Sequence, residues 1–217
     1  MAMSLKIETI PVTDFQQNAR VLIDEESSKA IIVDPGGEAE KFSSYFQQNN
    51  LELEAIWLTH AHLDHCGAVA DLLEHYSCKL YGHPNEEMLR AKVEDICAMY
   101  GMAQGDMKNC PEPTDYISGG EVLTFAYLTF EVRFCPGHSP GHLIFYCASE
   151  KLLIAGDTLF QSSIGRTDLP GGDHNQLLQK IKSEIYTLPH DTKVLPGHGP
   201  NTTVGVEALN NPFVTAG

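Results

Sequence analysis

The chain has 217 residues, 42% of them hydrophobic, and a formal net charge of −15 at pH 7. Its length suits one substantial core, so we expect a single domain over residues 1–217, and the acidic balance without a Lys or Arg cluster argues against nucleic acid as a partner. No apolar run reaches the roughly 18–20 residues of a membrane helix and no signal peptide is evident, which predicts a soluble, cytoplasmic protein without membrane partners.

Six cysteines are spread along the chain without a C-x-x-C pair. This spacing favours neither a zinc ribbon nor a thioredoxin-like motif. We therefore expect reduced, buried thiols, as in a cytosolic protein.

The first elements are predicted to be antiparallel strands. Apolar and polar residues alternate over 5–12, and apolar runs at 19–23 and 30–33 flank a polar turn, which indicates a hairpin. Asp34-Pro35-Gly36-Gly37 ends that hairpin, and a helix over about 38–49 follows. Asp34 is either a simple turn carboxylate or a residue that lies behind a metal site. A continuous apolar run at 53–59 predicts a buried strand.

That strand leads into Thr59-His60-Ala61-His62-Leu63-Asp64-His65, which holds three imidazoles and one carboxylate within six residues. Such crowding of ligand-type side chains predicts a metal site. Apolar residues at 69, 72, 73 and 76 follow with helical spacing, so the motif is expected in a strand-to-helix loop.

The middle of the chain predicts structure without chemistry. We expect a strand at 78–82 and a helix over about 85–100 that buries Met88, Val93, Ile96 and Met99. Residues 104–114 contain two prolines and a glycine, which predicts a surface loop.

The second half repeats the plan of the first. Strands at 122–125 and 128–134 lead to Gly137-His138, a hairpin of 143–147 and 152–155 leads to Gly156-Asp157, and a helix at 175–188 precedes a strand at 193–195 and Gly197-His198. We therefore predict two similar α/β halves with two mixed sheets packed face to face and helices outside, an αββα sandwich.

Seven residues can supply nitrogen and oxygen donors to two divalent ions: His60, His62, Asp64, His65, His138, Asp157 and His198. His60 and His62, two apart on extended chain, can share one ion with His138, while Asp64, His65 and His198 hold the second and Asp157 bridges. His142 is expected in a packing or supporting role. The remaining histidines at 75, 83, 174 and 190 are expected at the surface or at helix caps.

This donor set predicts catalysis rather than structural zinc, because structural sites favour closed, Cys-rich tetrahedra. An open position would hold a water whose pKa falls from about 16 to about 7. A hydroxide between the two ions would then attack a carbonyl. Asp64, the predicted catalytic side chain, would orient that hydroxide.

With the motifs 59–65, Gly137-His138-Ser139-Pro140-Gly141-His142, 156–160 and Gly197-His198-Gly199 in hand, the chain resembles a metallo-β-lactamase-fold hydrolase. It is most similar to the glyoxalase II (hydroxyacylglutathione hydrolase) branch, and the likeness runs from Phe15 to Phe213. The resemblance implies hydrolysis of S-lactoylglutathione by two metal ions, zinc with iron or manganese as alternatives.

The resemblance also implies that Arg166 binds a carboxylate of the glutathione-derived substrate, since a basic residue stands there in the two-domain enzymes. The alternative is an Arg166 paired with Asp168 in a solvated loop. The chain stops at Gly217, so we expect no helical C-terminal domain, and Gly199-Pro200 stands where those enzymes carry a substrate-binding Tyr. The chain is therefore most similar to the single-domain, bacterial type.

Three other functions stay open. The first is a persulfide dioxygenase with one iron held by His60, His138 and Asp157. The second is another hydrolase of thioesters or lactones on the same fold. The third is a metal-binding module without turnover.

Overall fold

The computed structural model describes residues 5–103, 105 and 107–216, which fall into two compact units. The first unit takes in the described residues up to 82 and from 86 to 116, and the second takes in 83–85 and those from 117 onward. Within these ranges no helix has the length and apolar character that a bilayer crossing requires.

The first unit is built on a six-stranded sheet with the order β1-β2-β3-β4-β5-β6. Strands β1 to β3 are antiparallel neighbours, and β3 to β6 pair in parallel. The strands are β1 Leu5–Val12, β2 Gln17–Asp24, β3 Lys29–Val33, β4 Glu52–Trp57, β5 Lys79–Gly82 and β6 Asp115–Tyr116. The helices are α1 Ala39–Gln48, α2 Leu63–Cys66, α3 Val69–His75, α4 Glu87–Arg90 and α5 Val93–Met99.

The central parallel strands β3 and β4 are mostly apolar and mostly buried. The second half of β4 is continuously buried, as is nearly all of β3. Phe42 and Phe46 of α1 and Leu72 of α3 join the same core as Ile32 and Ile56. Such strands read as unbroken hydrophobic runs, which is why the sequence located them.

The second unit carries another six-stranded sheet, with the order β14-β13-β10-β9-β8-β7, and a separate antiparallel pair, β11 with β12. Its strands are β7 Val122–Phe125, β8 Leu128–Phe134, β9 Leu143–Cys147, β10 Leu152–Gly156, β11 Leu159–Phe160, β12 Ser163–Ile164, β13 Lys193–Pro196 and β14 Thr202–Thr203. Its helices are α6 His174–Lys180, which continues into a π-helical turn at Ile181–Ile185, and α7 Val204–Asn210.

Both units follow one plan. Antiparallel strands come first, and a helix then carries the chain to a parallel neighbour, from β3 through α1 to β4 and from β10 through α6 to β13. The predicted α/β class with two mixed sheets and helices is confirmed. The grouping of residues 1–217 as one domain stays a prediction.

The predicted helix at 85–100 is wrong in its continuity and in its buried face. Met88 is 72% exposed and Met99 is 85% exposed. The helix is interrupted between α4 and α5. Val93 is buried as predicted, while Arg90 and Cys97 are buried in place of Met88 and Met99.

The predicted surface loop after α5 is also wrong in part. Met107 and Cys110 are buried. Lys108 N–H donates to Gly67 O and Cys110 N–H donates to Arg90 O, each across 3.0 Å, and these bonds tie the segment down. Residues 104 and 106 of this loop lie outside the described residues.

All six cysteines lie in the described part of the chain and carry free thiols, five of them buried. The predicted buried thiols are therefore confirmed. His75, His174 and His190 are exposed as expected, but His83 is buried. Its ring stacks on Phe134 with 4.9 Å between ring centroids, so a surface position for His83 is wrong. Its Nδ1 accepts the N–H of Asn85 in the following 3₁₀ turn across 3.0 Å, which agrees with the capping alternative.

Candidate metal centre

The His-rich motif of the first unit begins where β4 ends and continues into α2. His60 and His65 are buried, while His62 and Asp64 are partly exposed. Asp64 and His65 lie on the single helical turn of α2, where the sequence predicted only a loop. His62 remains extended just before this turn. The motif is therefore held by a strand end on one side and a helical turn on the other.

Asp34 organises this motif from the end of β3. Its backbone has a φ of 54°, a left-handed conformation that non-glycine residues adopt at a cost of roughly 1–3 kcal/mol. Oδ1 accepts the N–H of Thr59 across 2.7 Å, and Oδ2 accepts the Thr59 hydroxyl across 2.6 Å. Oδ2 also lies 2.9 Å from Nδ1 of His65. Of the two roles the sequence left open for Asp34, the supporting one agrees with these contacts.

These contacts determine the tautomers of two histidines. Because an ionised carboxylate only accepts hydrogen bonds, Nδ1 of His65 carries the proton and Nε2 carries the lone pair. The Thr59 hydroxyl donates its single proton to Asp34. Its oxygen therefore accepts a hydrogen bond from Nδ1 of His60, 3.0 Å away. His60 therefore also presents a lone pair at Nε2, which is 3.0 Å from Nδ1 of His62. An imidazole nitrogen with a free proton-less lone pair is the form that binds a metal ion.

The ligand-type atoms of Asp34, His60 and His65 lie within 4.8 Å of one another. Asp34 already accepts three hydrogen bonds through its two oxygens. We therefore assign Asp34 to the support of the two imidazoles rather than to coordination.

Gly36 and Gly67 allow the chain to pack tightly around the motif. A Cβ atom on Gly36 would lie 1.6 Å from the carbonyl oxygen of Asp64, and one on Gly67 would lie 2.6 Å from the carbonyl oxygen of Gly36. The turn at 34–37 thus does more than end a hairpin. It lets the backbone under Asp64 approach closely.

Glu86 is a supporting residue that the sequence did not reveal. This buried carboxylate accepts the backbone N–H of Ala61, between His60 and His62, across 2.8 Å. It comes from a short 3₁₀ turn, Pro84–Glu86, and no motif surrounds it. Only tertiary packing connects it with the motif, so no sequence signal could have located it.

In the second unit, three predicted ligands follow three strand ends. His138 follows β8, Asp157 follows β10 and His198 follows β13. Oδ2 of Asp157 lies 3.6 Å from Nε2 of His138 and 3.4 Å from Nε2 of His198. One carboxylate oxygen therefore stands between two imidazoles, which is the arrangement expected of a bridging ligand.

Backbone contacts fix the orientation of these side chains. Nδ1 of His138 lies 2.7 Å from the carbonyl oxygen of Arg166, which only accepts, so His138 donates from Nδ1 and has its lone pair at Nε2. This lone pair faces the Asp157 carboxylate, and two acceptors so placed require a proton or a cation nearby. Nε2 of His142 accepts the N–H of Asp157 across 3.0 Å, as expected for a packing residue.

Arg166 forms a bidentate ion pair with Asp168. Its Nε and Nη2 donate to the two carboxylate oxygens across 2.7 and 2.8 Å. This hydrogen bonding lowers the pKa of Asp168 to about 2, although both side chains are largely exposed. The paired state that the sequence left open is therefore present. The role of Arg166 toward a substrate stays a prediction.

Comparisons with known proteins agree with this picture. A family model described as the metallo-beta-lactamase superfamily matches residues 12–198. The chain is 38% identical to hydroxyacylglutathione hydrolase GloC of Haemophilus influenzae, with 98% of this chain and 99% of the relative covered.

Two solved structures are each 39% identical to the chain. One is described as the BLEG-1 B3 metallo-beta-lactamase, with a TM-score of 0.88 and coverage of 97% of this chain and 100% of that one. The other is described as TTHA1623 in a di-iron-bound form, with a TM-score of 0.86 and coverage of 95% and 100%. On the match over residues 12–198 and these full-length likenesses, the chain belongs to the metallo-beta-lactamase superfamily and is a metal-dependent hydrolase.

Proposed function

We propose that the seven predicted ligands bind two divalent metal ions and that the protein hydrolyses a glutathione thioester such as S-lactoylglutathione. The observation that carries the proposal is the position of Asp157 Oδ2, at 3.6 and 3.4 Å from Nε2 of His138 and His198. His60, His62 and His138 would hold one ion, Asp64, His65 and His198 the other, and Asp157 would bridge.

The donor chemistry supports this assignment. Neutral imidazoles and carboxylates suit zinc, iron and manganese, whereas the free cysteines are not among the proposed ligands. We propose zinc as the preferred ion. Iron is the alternative, because the similar structure of TTHA1623 is described as a di-iron-bound form. The hydrogen bonds of His60, His65 and His138 keep these rings in the tautomer that a metal requires.

Different residues of the chain would have different roles in the hydrolysis. When bound, the divalent ions supply Lewis acidity and an activated water. Asp64, partly exposed on α2, would orient that water by accepting a hydrogen bond from it. Asp34 and Glu86 would hold the motif in place, so that no reorganisation is needed during the reaction.

A thioester of glutathione is proposed as the small-molecule substrate on two grounds. The relative GloC, similar over nearly the whole chain, is named a hydroxyacylglutathione hydrolase. In addition, Arg166 offers a planar fork that already holds a carboxylate, and a substrate carboxylate can replace Asp168 with the same geometry.

The test is a pair of assays on protein loaded with zinc or with iron. We expect S-lactoylglutathione to release a free thiol and D-lactate, with about two metals per chain by elemental analysis. Oxygen uptake on glutathione persulfide by protein with one iron, without thioester cleavage, would instead establish a dioxygenase. Cleavage of lactones with no thioester cleavage would retain the hydrolase and replace the substrate class.

A further inference from the structure

The pair β11 and β12 in the second unit, together with the two residues that follow it, contacts all three predicted ligands of that unit. The hairpin begins directly after Asp157 and Thr158, and Gly165 N–H closes it onto Thr158 O across 3.2 Å. A Cβ atom on Gly165 would lie 1.9 Å from the carbonyl oxygen of Asp157 and 3.0 Å from Nδ1 of His138. The chain that leaves the hairpin therefore runs against two ligands at once.

Two further contacts join this region to His138 and His198. Arg166, two residues after β12, provides the carbonyl oxygen that lies 2.7 Å from Nδ1 of His138. Phe160, on β11, meets the ring of His198 edge to face, with 6.2 Å between the ring centroids. A displacement of this hairpin would thus disturb His138, Asp157 and His198 together.

Such a hairpin cannot hold its own position. Each of its strands has two residues, and Ser162 in its turn has a φ of 57°. A two-stranded hairpin is at best marginally stable by itself in water, so its placement depends on contacts from outside.

Leu159 and Ile164 of the hairpin pack in the core of the second unit, and two buried residues of the C-terminal segment add polar contacts. Glu207 of α7 accepts the N–H of Ser162 through Oε2 across 2.9 Å and the hydroxyl of Thr202 through Oε1 across 2.6 Å. Asn211 donates one amide hydrogen to Glu207 Oε2 across 2.9 Å and the other to Ser163 O across 3.0 Å. Both side chains are 1% exposed.

The polarity of this network is fixed. Phe213 N–H donates to Oδ1 of Asn211 across 3.0 Å, which leaves the Asn211 NH₂ group as a double donor. Both carboxylate oxygens of Glu207 accept hydrogen bonds, from Ser162, Thr202 and Asn211. A buried carboxylate without such donors would be strongly destabilising, so the network is required for Glu207 to be placed here.

We propose that Glu207 and Asn211 are positioning residues that anchor the β11–β12 hairpin and thereby set the geometry of His138, Asp157 and His198. The inference rests on the proposed role of these three side chains as metal ligands. It extends the metal centre to a helix whose residues do not touch the reacting atoms.

The chain offers a matched pair of variants to test this anchor. Asn211→Ala removes both donors, whereas the neighbouring Asn210→Ala removes an exposed amide that bonds only within α7, to Val206 O. We expect Asn211→Ala and Glu207→Ala to bind zinc about 10–100-fold more weakly than the parent. Asn210→Ala should bind zinc like the parent.

Glu207→Gln is the conservative variant. Its oxygen can keep the bonds to Ser162 and Asn211, while the Thr202 hydroxyl rotates to accept from the new amide. Zinc affinity should therefore be largely restored relative to Glu207→Ala. A role of the negative charge alone would not produce this order of affinities, because Glu207→Gln removes the charge and keeps the acceptor.

Zinc affinity is measured on metal-free protein by competition with a chelator, and the unfolded fraction of each variant is determined by circular dichroism. A second readout uses the metal-free state alone. The ¹⁵N imidazole spectrum of the parent should show His138 protonated at Nδ1, and the two alanine variants should shift that signal.

Wild-type zinc affinity and an unshifted His138 signal in Asn211→Ala and Glu207→Ala would overturn the anchor. So would a loss of affinity that disappears once the unfolded fraction is taken into account. Absence of thioester cleavage by zinc-loaded parent protein would refute the proposed reaction and leave the anchor standing, because neither readout here depends on the substrate.

Discussion

Asp34 and His65 are joined by a 2.9 Å hydrogen bond from the imidazole Nδ1 to the carboxylate Oδ2. Asp34 is 31 positions earlier in the chain, at the end of a neighbouring strand. This bond makes His65 a hydrogen-bond donor at Nδ1 and leaves the lone pair at Nε2 for the proposed metal ion. It also implies that the imidazole is prepared before a metal arrives.

We therefore expect Asp34→Asn to weaken metal binding by about 10–100-fold while the protein remains folded. The amide would present hydrogens where Thr59 and His65 need an acceptor, and the His65 tautomer would be disturbed. Chelator competition measures the affinity. Asp24→Asn, at the partly exposed end of β2, is the control, and equal affinity in the two variants would remove Asp34 from this role.

Asp157→Asn should lower metal content and kcat together. One oxygen donor is lost from the carboxylate that stands between His138 and His198. Elemental analysis of dialysed protein measures the first effect and steady-state kinetics the second. Unchanged metal occupancy would contradict a bridging role for Asp157.

Arg166→Ala should raise KM for an anionic thioester more than it lowers kcat, since a carboxylate grip acts in ground and transition state alike. Asp168→Ala should lower KM, because the Arg166 guanidinium would no longer be paired with Asp168 and could bind the substrate carboxylate. The pair is largely exposed and solvent screening makes such pairs weak, so the decrease should be at most about fivefold.

Two controls sharpen the Arg166 prediction. A thioester without carboxylates should show the same KM in the parent protein and both variants. The low pKa of Asp168, about 2, keeps it ionised across ordinary assay conditions, so its effect on KM should not change between about pH 5 and 9. A pure kcat loss in Arg166→Ala would remove that residue from substrate binding.

Gly36→Ala should destabilise the fold and weaken metal binding. The added Cβ would lie 1.6 Å from Asp64 O, so the backbone under a ligand must move, at a cost of about 1–3 kcal/mol or more. Gly101→Ala is the comparison, since its φ is 71° but nothing lies within 4 Å of the added atom. Urea denaturation gives both stabilities. If Gly36→Ala costs no more than Gly101→Ala, the close approach is not what requires glycine.

The sequence located the parts of the site that are close together in the chain or follow an apolar strand. The spacing of His60, His62, Asp64 and His65 indicated a metal motif by itself. Glycines before His138, Asp157 and His198 indicated three more ligands at strand ends. Continuous apolar runs such as β4 predicted the strands that carry them.

The supporting residues could not be found in this way. Glu86 meets Ala61, 25 positions away, and Glu207 meets Ser162, 45 positions away, through tertiary packing that leaves no periodic pattern. The hairpin of β11 and β12 has strands too short for alternation to be visible. The interruption between α4 and α5 is likewise set by packing, since Met88 and Met99 continue a helical pattern that the backbone does not follow.

The contact between Gly36 and the Asp64 backbone has a consequence for protein engineering. Residues 59–66 do not form a self-contained segment, because the turn at 34–37 is packed against them without room for one methyl group. A graft of the histidine motif onto another scaffold would have to carry both segments at their present separation. The transferable unit is a pair of adjacent parallel strand ends, β3 and β4, and not a single loop.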